Sequence, residues 1–150
     1  MQGLSYEYKI FKSIPDDLTL GRILNLHQDI FGTADNFIHN VKSKPSLLVF
    51  TALEGENVIG YKIGYPIDHN KFYSWLGGVA SKYRNQGIAA MLMEKQHQYL
   101  IENGYKLVQT KTMNKWRGML ILNIKSGFDV IETYTDEKGV HKILLEKKLY

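Results

Sequence analysis

The stretch from Leu76 to Ala90 constrains the fold of this chain more than any other part of the sequence. An apolar run, Phe72 to Val79, ends in a short polar turn, and an amphipathic helical pattern starts directly after Gly87. This pattern predicts a strand, a loop and a helix in that order. Because the first turn of a helix has unpartnered N–H groups and a dipole that favours negative charge, the stretch also predicts an anion site.

Three residues of the loop make an anion site chemically reasonable. Gly87 lets an anion approach the backbone without a Cβ in the way, and Ala89 keeps the next position but one small. Arg84 adds a permanent positive charge with a fork of donors. Together they form the motif Arg-x-x-Gly-x-Ala.

This motif resembles the Arg/Gln-x-x-Gly-x-Gly/Ala loop of the GCN5-related N-acetyltransferase (GNAT) superfamily, in which the loop cradles the pyrophosphate of acetyl-CoA. The tyrosine-arginine pair Tyr83-Arg84, four residues after Val79, and the downstream Gly127-Phe128 also match the family's sequence order. The resemblance implies an acetyl-CoA-dependent N-acetyltransferase that acts by direct attack of a primary amine, with acetyl-CoA as cosubstrate and without a metal.

Periodicity and turn signals divide the chain into eleven elements. The order is β-α-α-β-β-β-α-β-α-β-β, and its strand–helix–strand unit predicts a parallel pair. The predicted elements are strands at 6–11, 46–53, 58–65, 71–79, 105–111, 128–134 and 140–147, and helices near 15–30, 34–42, 88–103 and 115–125, with Phe31-Gly32-Thr33 breaking the first helix. Thr33 or Asp35 is the predicted cap of the second helix. The resemblance implies the acyl-CoA N-acyltransferase fold, an α/β (α+β) architecture with a mixed, mostly antiparallel central sheet flanked by helices, as a single GNAT domain over 1–150.

The resemblance also assigns the cosubstrate contacts. Gly77-Gly78 by itself predicts a bulge or a close backbone approach. By resemblance, the backbone around it receives the pantetheine arm, and Val79 supplies the contact to the thioester oxygen. The implied acetyl-CoA-binding residues are Gly77, Gly78, Val79, Ala80, Arg84, Asn85, Gln86, Gly87, Ile88 and Ala89, with Asn114 and Asn123 further along the chain.

The catalytic residues are less clearly marked. A common family pattern, Asn-x-x-Ala-x-x-Leu-Tyr-x-x-x-Gly-Phe, places Asn123 where a tyrosine often protonates the departing thiolate. An amide cannot titrate but can donate a hydrogen bond, so Asn123 is predicted as a thiolate contact, and Tyr73 is the second catalytic candidate. The histidines of the predicted helices, at 27, 39 and 97, are interpreted as surface positions. No general base stands out, and a water chain ending on a backbone carbonyl is the alternative.

The acceptor pocket implied by the resemblance lies between the first two helices, their joining loop and the final hairpin. Four aromatic residues are candidates for its walls, although aromatic residues on strands more often belong to a core. They are Tyr61, Tyr65, Trp75 and Tyr134. No set of residues identifies the acceptor, and the frequency of dimers in the family leaves both a monomer and a homodimer open.

Composition excludes several other classes. The chain of 150 residues has no cysteine, no apolar run of roughly 20 residues and no basic-then-apolar start, which together predict a cytoplasmic protein without a membrane segment. Its net charge of +4 is scattered, which disfavours nucleic-acid binding. The sequence contains neither a P-loop nor Gly-x-Gly-x-x-Gly, and no His or carboxylate spacing typical of a metal site. The remaining alternative is a catalytically silent acyl-CoA-binding module of the same fold.

Overall fold

The structure is a computed structural model that describes residues 6–150. Its elements follow the predicted order, which confirms the sequence-based assignment of element types. The strands are β1 Glu7–Phe11, β2 Leu48–Glu54, β3 Asn57–Pro66, β4 Lys71–Val79, β5 Leu107–Thr112, β6 Asp129–Thr135 and β7 His141–Lys148. The helices are α1 Asp17–Phe31, α2 Phe37–Lys42, α3 Ile88–Glu102 and α4 Arg117–Lys125, with a 3₁₀ turn at Ser81–Tyr83.

The seven strands form a mixed sheet in the order β1-β2-β3-β4-β5-β7-β6. β4 and β5 pair in parallel, as the β4-α3-β5 crossover requires. The pairs β1–β2, β2–β3, β5–β7 and β6–β7 are antiparallel. A mixed, mostly antiparallel sheet is therefore confirmed.

The chain divides into two compact units, and β4 contributes residues to both. Residues 6–65 and 76–96 form the first unit. Its core is built from the apolar face of α1 and the central strands, because α1 buries Leu20, Ile23 and Leu26 at helical spacing. Asp16 begins α1 by accepting the Thr19 N–H at 2.8 Å. Helix α1 runs through Phe31, which was predicted to break it, and its C-cap is the left-handed Gly32, whose N–H donates to the carbonyl of Gln28 at 2.8 Å.

Residues 66–75 and 97–150 form the second unit. Its core is apolar, with Phe72, Val108, Phe128, Leu145 and Leu149 all buried. The parallel pairing of β4 with β5 runs from Lys71 with Leu107 to Ser74 with Thr110. The turn before β4 and the turn of the final hairpin each use one aspartate, Asp68 and Asp136, whose carboxylate accepts two backbone N–H groups at 2.9 Å.

Three helix starts differ from the prediction, the first being that of α1, which begins at Asp17 and not near residue 15. Helix α2 begins at Phe37, not at Ala34, and neither Thr33 nor Asp35 is its cap. The residue before it, Asn36, has φ +59° and makes no side-chain capping bond, and this left-handed residue separates the preceding turn from the helix. Helix α4 begins at Arg117, not at Lys115, because Trp116 has ψ 56° and is not helical.

Candidate functional site

The loop between β4 and α3 is shaped by two residues with left-handed backbone. Asn85 has φ +62° and Gly87 has φ +80°. The carbonyl of Gly87 accepts the Met91 N–H at 3.0 Å, which places Gly87 directly before the first turn of α3. The helix begins at Ile88, as predicted. Because no helical carbonyl lies four residues before the N–H groups of this turn, they are available to an outside acceptor.

Space and charge at this loop favour an anion. A Cβ built on Gly87 would have no heavy atom within 4 Å, so the approach to the backbone is open. Residues 80–93 include two basic side chains, Lys82 and Arg84, and no acidic one. Ile88 is 2 % exposed, and its Cγ2 lies 3.1 Å from the Cβ position of Gly60. Its side chain therefore fixes the helix to β3.

Arg84 joins the loop to the end of β4. Its Nε donates a hydrogen bond to the carbonyl of Val79 at 3.2 Å. Within residues 6–150, no acid pairs with its two Nη groups. One half of the guanidinium fork is thus used to hold the strand end, and the other half remains for a ligand.

Two tyrosine hydroxyls make hydrogen bonds at this loop. The hydroxyl of Tyr6 donates to Oε1 of Gln86, and the hydroxyl of Tyr83 donates to the carboxylate of Glu54. The rings of Tyr6 and Tyr83 meet edge to face with centroids 6.0 Å apart. Because Oε1 of Gln86 accepts from Tyr6, the donors that Gln86 can offer an anion are its side-chain Nε2 group and its backbone N–H.

The glycines at the end of β4 allow close approach, as predicted. A Cβ on Gly77 would lie 3.3 Å from the carbonyl oxygen of Tyr61, and one on Gly78 would lie 2.6 Å from Cδ1 of Ile30. The next residue but one, Ala80, donates its N–H to the carbonyl of Ile59 at 2.8 Å. The strand end is therefore packed tightly against β3 on one side and α1 on the other.

A polar pair that sequence reasoning missed lies beside Gly78. Nδ1 of His27 on α1 is 2.5 Å from the hydroxyl of Tyr61 on β3. The imidazole packs between the rings of Phe31 and Phe37, both with centroids 4.7 Å away. Cε1 of Tyr61 lies 3.6 Å from the Cβ position of Gly78. The pair therefore places an imidazole near the predicted thioester-binding backbone.

Burial shifts the pKa values of both members of this pair. Burial lowers the pKa of His27 and raises that of Tyr61, because charge is costly away from water. The imidazole is therefore neutral at neutral pH and can accept a proton. The interpretation of His27 as a surface residue was wrong, because Phe31 lies one helical turn later and covers the same face. That spacing was the available signal.

The other two helical histidines have different surroundings. His39 is exposed, as interpreted from the sequence. His97 belongs to the second unit and is 6 % exposed, so its surface interpretation was wrong. Its Nδ1 lies 3.2 Å from Nζ of Lys147, and its ring packs on Phe128 at 5.6 Å. His97 is part of the packing at that place.

Three further residues that were predicted to bind or catalyse lie at separate places in the second unit. Asn123 on α4 is 2 % exposed, and its backbone carbonyl accepts the N–H of Phe128 at 3.0 Å. Asn114 is exposed in the turn before α4. Tyr73 in β4 is half-buried, with Nζ of Lys111 5.9 Å from its ring centroid. Their predicted roles in binding and catalysis stay predictions.

The four aromatic candidates for pocket walls also have distinct settings. Tyr61 is 1 % exposed, while Tyr65, Trp75 and Tyr134 are half-buried. Nζ of Lys44 lies 5.0 Å above the Tyr65 ring, and Nζ of Lys111 lies 5.6 Å above the Tyr134 ring. Tyr61 is thus a core residue with one polar contact.

In the part of the chain that the structure describes, no helix has the length and apolar character needed to cross a membrane. Among residues 6–150, no group of three or more His, Cys, Asp or Glu side chains could hold a metal ion.

Solved structures of similar shape cover almost the whole chain. A GNAT-family acetyltransferase from Desulfovibrio desulfuricans has a TM-score of 0.78 at 15% identity, covering 97% of this chain and 100% of its own. The ribosomal-protein-S18-alanine N-acetyltransferase from Escherichia coli gives 0.77 at 15% identity, with 95% and 94% covered. A GNAT-family acetyltransferase from Elizabethkingia anophelis with acetyl-CoA bound gives 0.69 at 20% identity, with 94% and 97% covered. These likenesses show the acyl-CoA N-acyltransferase fold.

Comparison of the sequence with family models identifies the family. No curated protein matches the chain at a significant level. The model of the acetyltransferase (GNAT) family matches residues 15–117, which include α1, the three strands that follow α2, the Arg84 loop and α3. The matched region is more than half of the chain, and the chain therefore belongs to the GNAT family of acetyltransferases.

Proposed function

We propose that this protein is a cytoplasmic N-acetyltransferase that moves the acetyl group of acetyl-CoA to a primary amine by direct attack in a ternary complex. One observation carries the proposal: the loop before α3 combines an open left-handed Gly87, free helix N–H groups and the Arg84 fork. A pyrophosphate needs that combination of donors. In this proposal the whole chain acts as a single GNAT domain, and Arg84, Asn85, Gln86, Gly87, Ile88 and Ala89 bind the pyrophosphate.

The backbone of β4 is the proposed support for the acyl arm. When bound, acetyl-CoA supplies an activated thioester. Gly77, Gly78, Val79 and Ala80 would orient it, with Val79 as donor to the thioester oxygen as negative charge develops there. β4 continues for five residues beyond Ser74, the last residue in its register with β5. This supports a ligand along the end of the strand, although the Ala80 N–H already bonds Ile59.

The His27–Tyr61 pair supplies the base that the amine needs. If Nδ1–H of His27 donates to the Tyr61 hydroxyl, Nε2 keeps its lone pair and accepts a proton from the incoming amine. A neutral amine is the attacking form, and a neutral imidazole is the matching acceptor. In this assignment Tyr61 positions His27, while Asn123 contacts the departing thiolate, Tyr73 is a further catalytic candidate and Asn114 contacts the cosubstrate.

An amine on a peptide or small molecule is the proposed acceptor class. One of the similar structures is the ribosomal-protein-S18-alanine N-acetyltransferase from Escherichia coli. Its name describes acetylation of an amino group, which supports an amino-group acceptor for this chain. Helix α1 and its contact with α2 would form part of the acceptor side, because His27 and Phe37 meet there.

Titration calorimetry with acetyl-CoA tests the proposed binding site. Wild type should bind with a micromolar Kd, roughly 8 kcal/mol, and Gly87→Glu should lose this binding because it adds bulk and negative charge at the open backbone. Gly139→Glu is the matched control, since Gly139 also has φ +80° and open space around its Cβ position. Retained binding in Gly87→Glu, or no binding by folded wild type, would overturn the proposal.

Thiol release from acetyl-CoA in the presence of primary amines separates an enzyme from a silent binding module. The panel pairs each amine with its N-acetylated form, which cannot be acetylated again at that nitrogen. An enzyme releases thiol faster with the free amine. Equal release from both forms across peptides and small amines, by a protein that binds acetyl-CoA, would favour the silent module.

A further inference from the structure

Lys62 occupies the middle of β3 on a strip of the sheet that has few side chains. Its neighbours on the same face of the strand are Gly60 and Gly64, two residues away on either side. On the neighbouring strand β4, a Cβ on Gly77 would lie 3.8 Å from both Cα and Cγ of Lys62. Three glycines therefore flank the lysine arm, although Ile88 and Leu92 of α3 cover Gly60, and the arm lies against the strand proposed to support the acyl group.

The amine of Lys62 lacks the partner that a lysine in such a place usually has. Within residues 6–150, no hydrogen bond or ion pair joins it to another group. The residue is half-buried, and its cross-strand neighbour Phe50 is 3 % exposed. Burial lowers the pKa of Lys62 to about 8. A large fraction of the amine is therefore uncharged in mildly alkaline solution, and an uncharged amine is a nucleophile.

We propose that Lys62 is a self-acetylation site, at which the protein takes an acetyl group from acetyl-CoA bound along the end of β4. The inference rests on the proposed function, because it uses the same acetyl-CoA. The Nζ atom of Lys62 forms a bond to the acetyl carbonyl carbon, and the carbon–sulfur bond breaks. The amine loses one proton, the thiolate leaves as the free thiol after taking up one proton, and an uncharged amide remains on Lys62. No oxidant or further reactant is needed.

Mass spectrometry of the whole protein tests the modification directly. Wild type is incubated at pH 8 with acetyl-CoA that carries a ¹³C-labelled acetyl group, and each lysine is then quantified by tandem mass spectrometry. Proximity to a bound donor should label Lys62 at least about tenfold faster than the exposed Lys42. Lys62→Arg should lose that label while it retains acetyl-CoA binding by calorimetry.

A small reagent that needs no binding site supplies the control for accessibility. Acetic anhydride should label Lys62 equally in wild type and Gly87→Glu, whereas acetyl-CoA should label it only in wild type. This contrast distinguishes a bound donor from a merely reactive lysine. The same reagent, used from pH 6 to pH 10, should give a titration midpoint near pH 8 for Lys62.

The outcomes separate the two proposals. Acetyl-CoA binding by calorimetry without labelling of Lys62, or with labelling no faster than at Lys42, overturns self-acetylation and leaves the proposed function standing. Labelling of Lys62 that persists in Gly87→Glu also overturns it. A folded wild-type protein that does not bind acetyl-CoA overturns both proposals.

Discussion

Gly78 lies where a single methyl group would collide with helix α1. A Cβ there would stand 2.6 Å from Cδ1 of Ile30 and 3.6 Å from Cε1 of Tyr61. We expect Gly78→Ala to lower the free energy of unfolding by about 1–3 kcal/mol, because overpacking forces neighbouring side chains to move. Urea denaturation of the variant measures this loss.

Ile30→Val removes the carbon that collides and completes a double-mutant cycle. In the wild-type background it should cost about 0.5–1.5 kcal/mol. In the Gly78→Ala background it should cost less, or restore stability, because the valine makes room for the added methyl group. Two losses that simply add would contradict this steric explanation.

The lowered pKa of His27 predicts how stability changes with pH. Below its ordinary pKa of about 6.5, the unfolded chain binds a proton that the native His27 does not bind. The unfolding free energy contributed by this residue is therefore fully present above pH 6.5 and falls on acidification toward the lowered native pKa. Denaturation of wild type and His27→Gln from pH 7.5 to 5 measures it.

The two curves should diverge in slope across that range, with wild type falling more steeply. His39→Gln is the matched control, because His39 is an exposed helical histidine. A slope that His27→Gln leaves unchanged, or that His39→Gln changes equally, would show that burial of His27 does not set the pH dependence.

Single residues also mark where sequence reasoning succeeded and where it stopped. Gly77, Gly78 and Gly87 could be interpreted individually, because a missing side chain has a local geometric meaning. His27 and Lys62 could be interpreted only in part: the spacing to Phe31 was a local signal for His27, but its partner Tyr61 and the cross-strand neighbour Phe50 of Lys62 lie far along the chain. The Gly-x-Lys-x-Gly sequence showed that no side chain flanks Lys62 on its own strand, but not which residues lie across from it.

At the level of elements, the parallel pair β4–β5 ends on a side-chain hydrogen bond. The hydroxyl of Thr110 donates to the carbonyl of Ser74 at 2.9 Å, at the last pair of the register. Thr110→Val keeps the shape and removes the donor, so it should lower the unfolding free energy by about 0.5–1.5 kcal/mol. Urea denaturation tests it, with Thr110→Ser as the control.

The serine variant keeps the hydroxyl and loses only a methyl group. It should therefore retain the hydrogen bond, and amide exchange near Ser74 and Thr110 should be closer to wild type in Thr110→Ser than in Thr110→Val. Equal protection in both variants would show that the hydrogen bond does not hold the end of this pair.

Element types were predictable because period 2 and period 3.6 are properties of short segments. The ends of the helices were less predictable. The start of α2 depends on the left-handed Asn36, and the start of α4 depends on the non-helical Trp116. Both residues stand beside plausible capping or helical sequence, so the local pattern favoured starts that were two or three residues too early.

At the level of the whole molecule, ligand binding should appear as stability. A ligand that binds only the native protein adds about 2.7 kcal/mol at a concentration of 100 Kd. Acetyl-CoA should therefore raise the Tm of wild type by several degrees. Differential scanning fluorimetry should show the same shift for Gly139→Glu and none for Gly87→Glu. An unchanged shift in Gly87→Glu would place acetyl-CoA elsewhere on the protein.

The family was predictable from a motif of a few residues, since phosphate recognition by a loop and helix start is local in sequence. The acceptor was not, because the proposed acceptor site combines side chains of α1, α2 and other elements whose facing residues no short motif specifies. Even the base candidate emerged only when α1 and β3 were placed side by side.

The bond from Arg84 to the Val79 carbonyl has a consequence for shortened donors. The guanidinium of Arg84 holds the strand end with Nε, and in the proposed function its remaining N–H groups bind phosphate oxygens. A thioester donor with the same acyl arm but no phosphates would leave the Nη groups of Arg84 without a phosphate partner. The end of β4 would then be held less firmly. Interactions at the far end of a substrate can serve the reacting end. Removing the nucleotide portion of the donor should therefore slow turnover as well as weaken affinity.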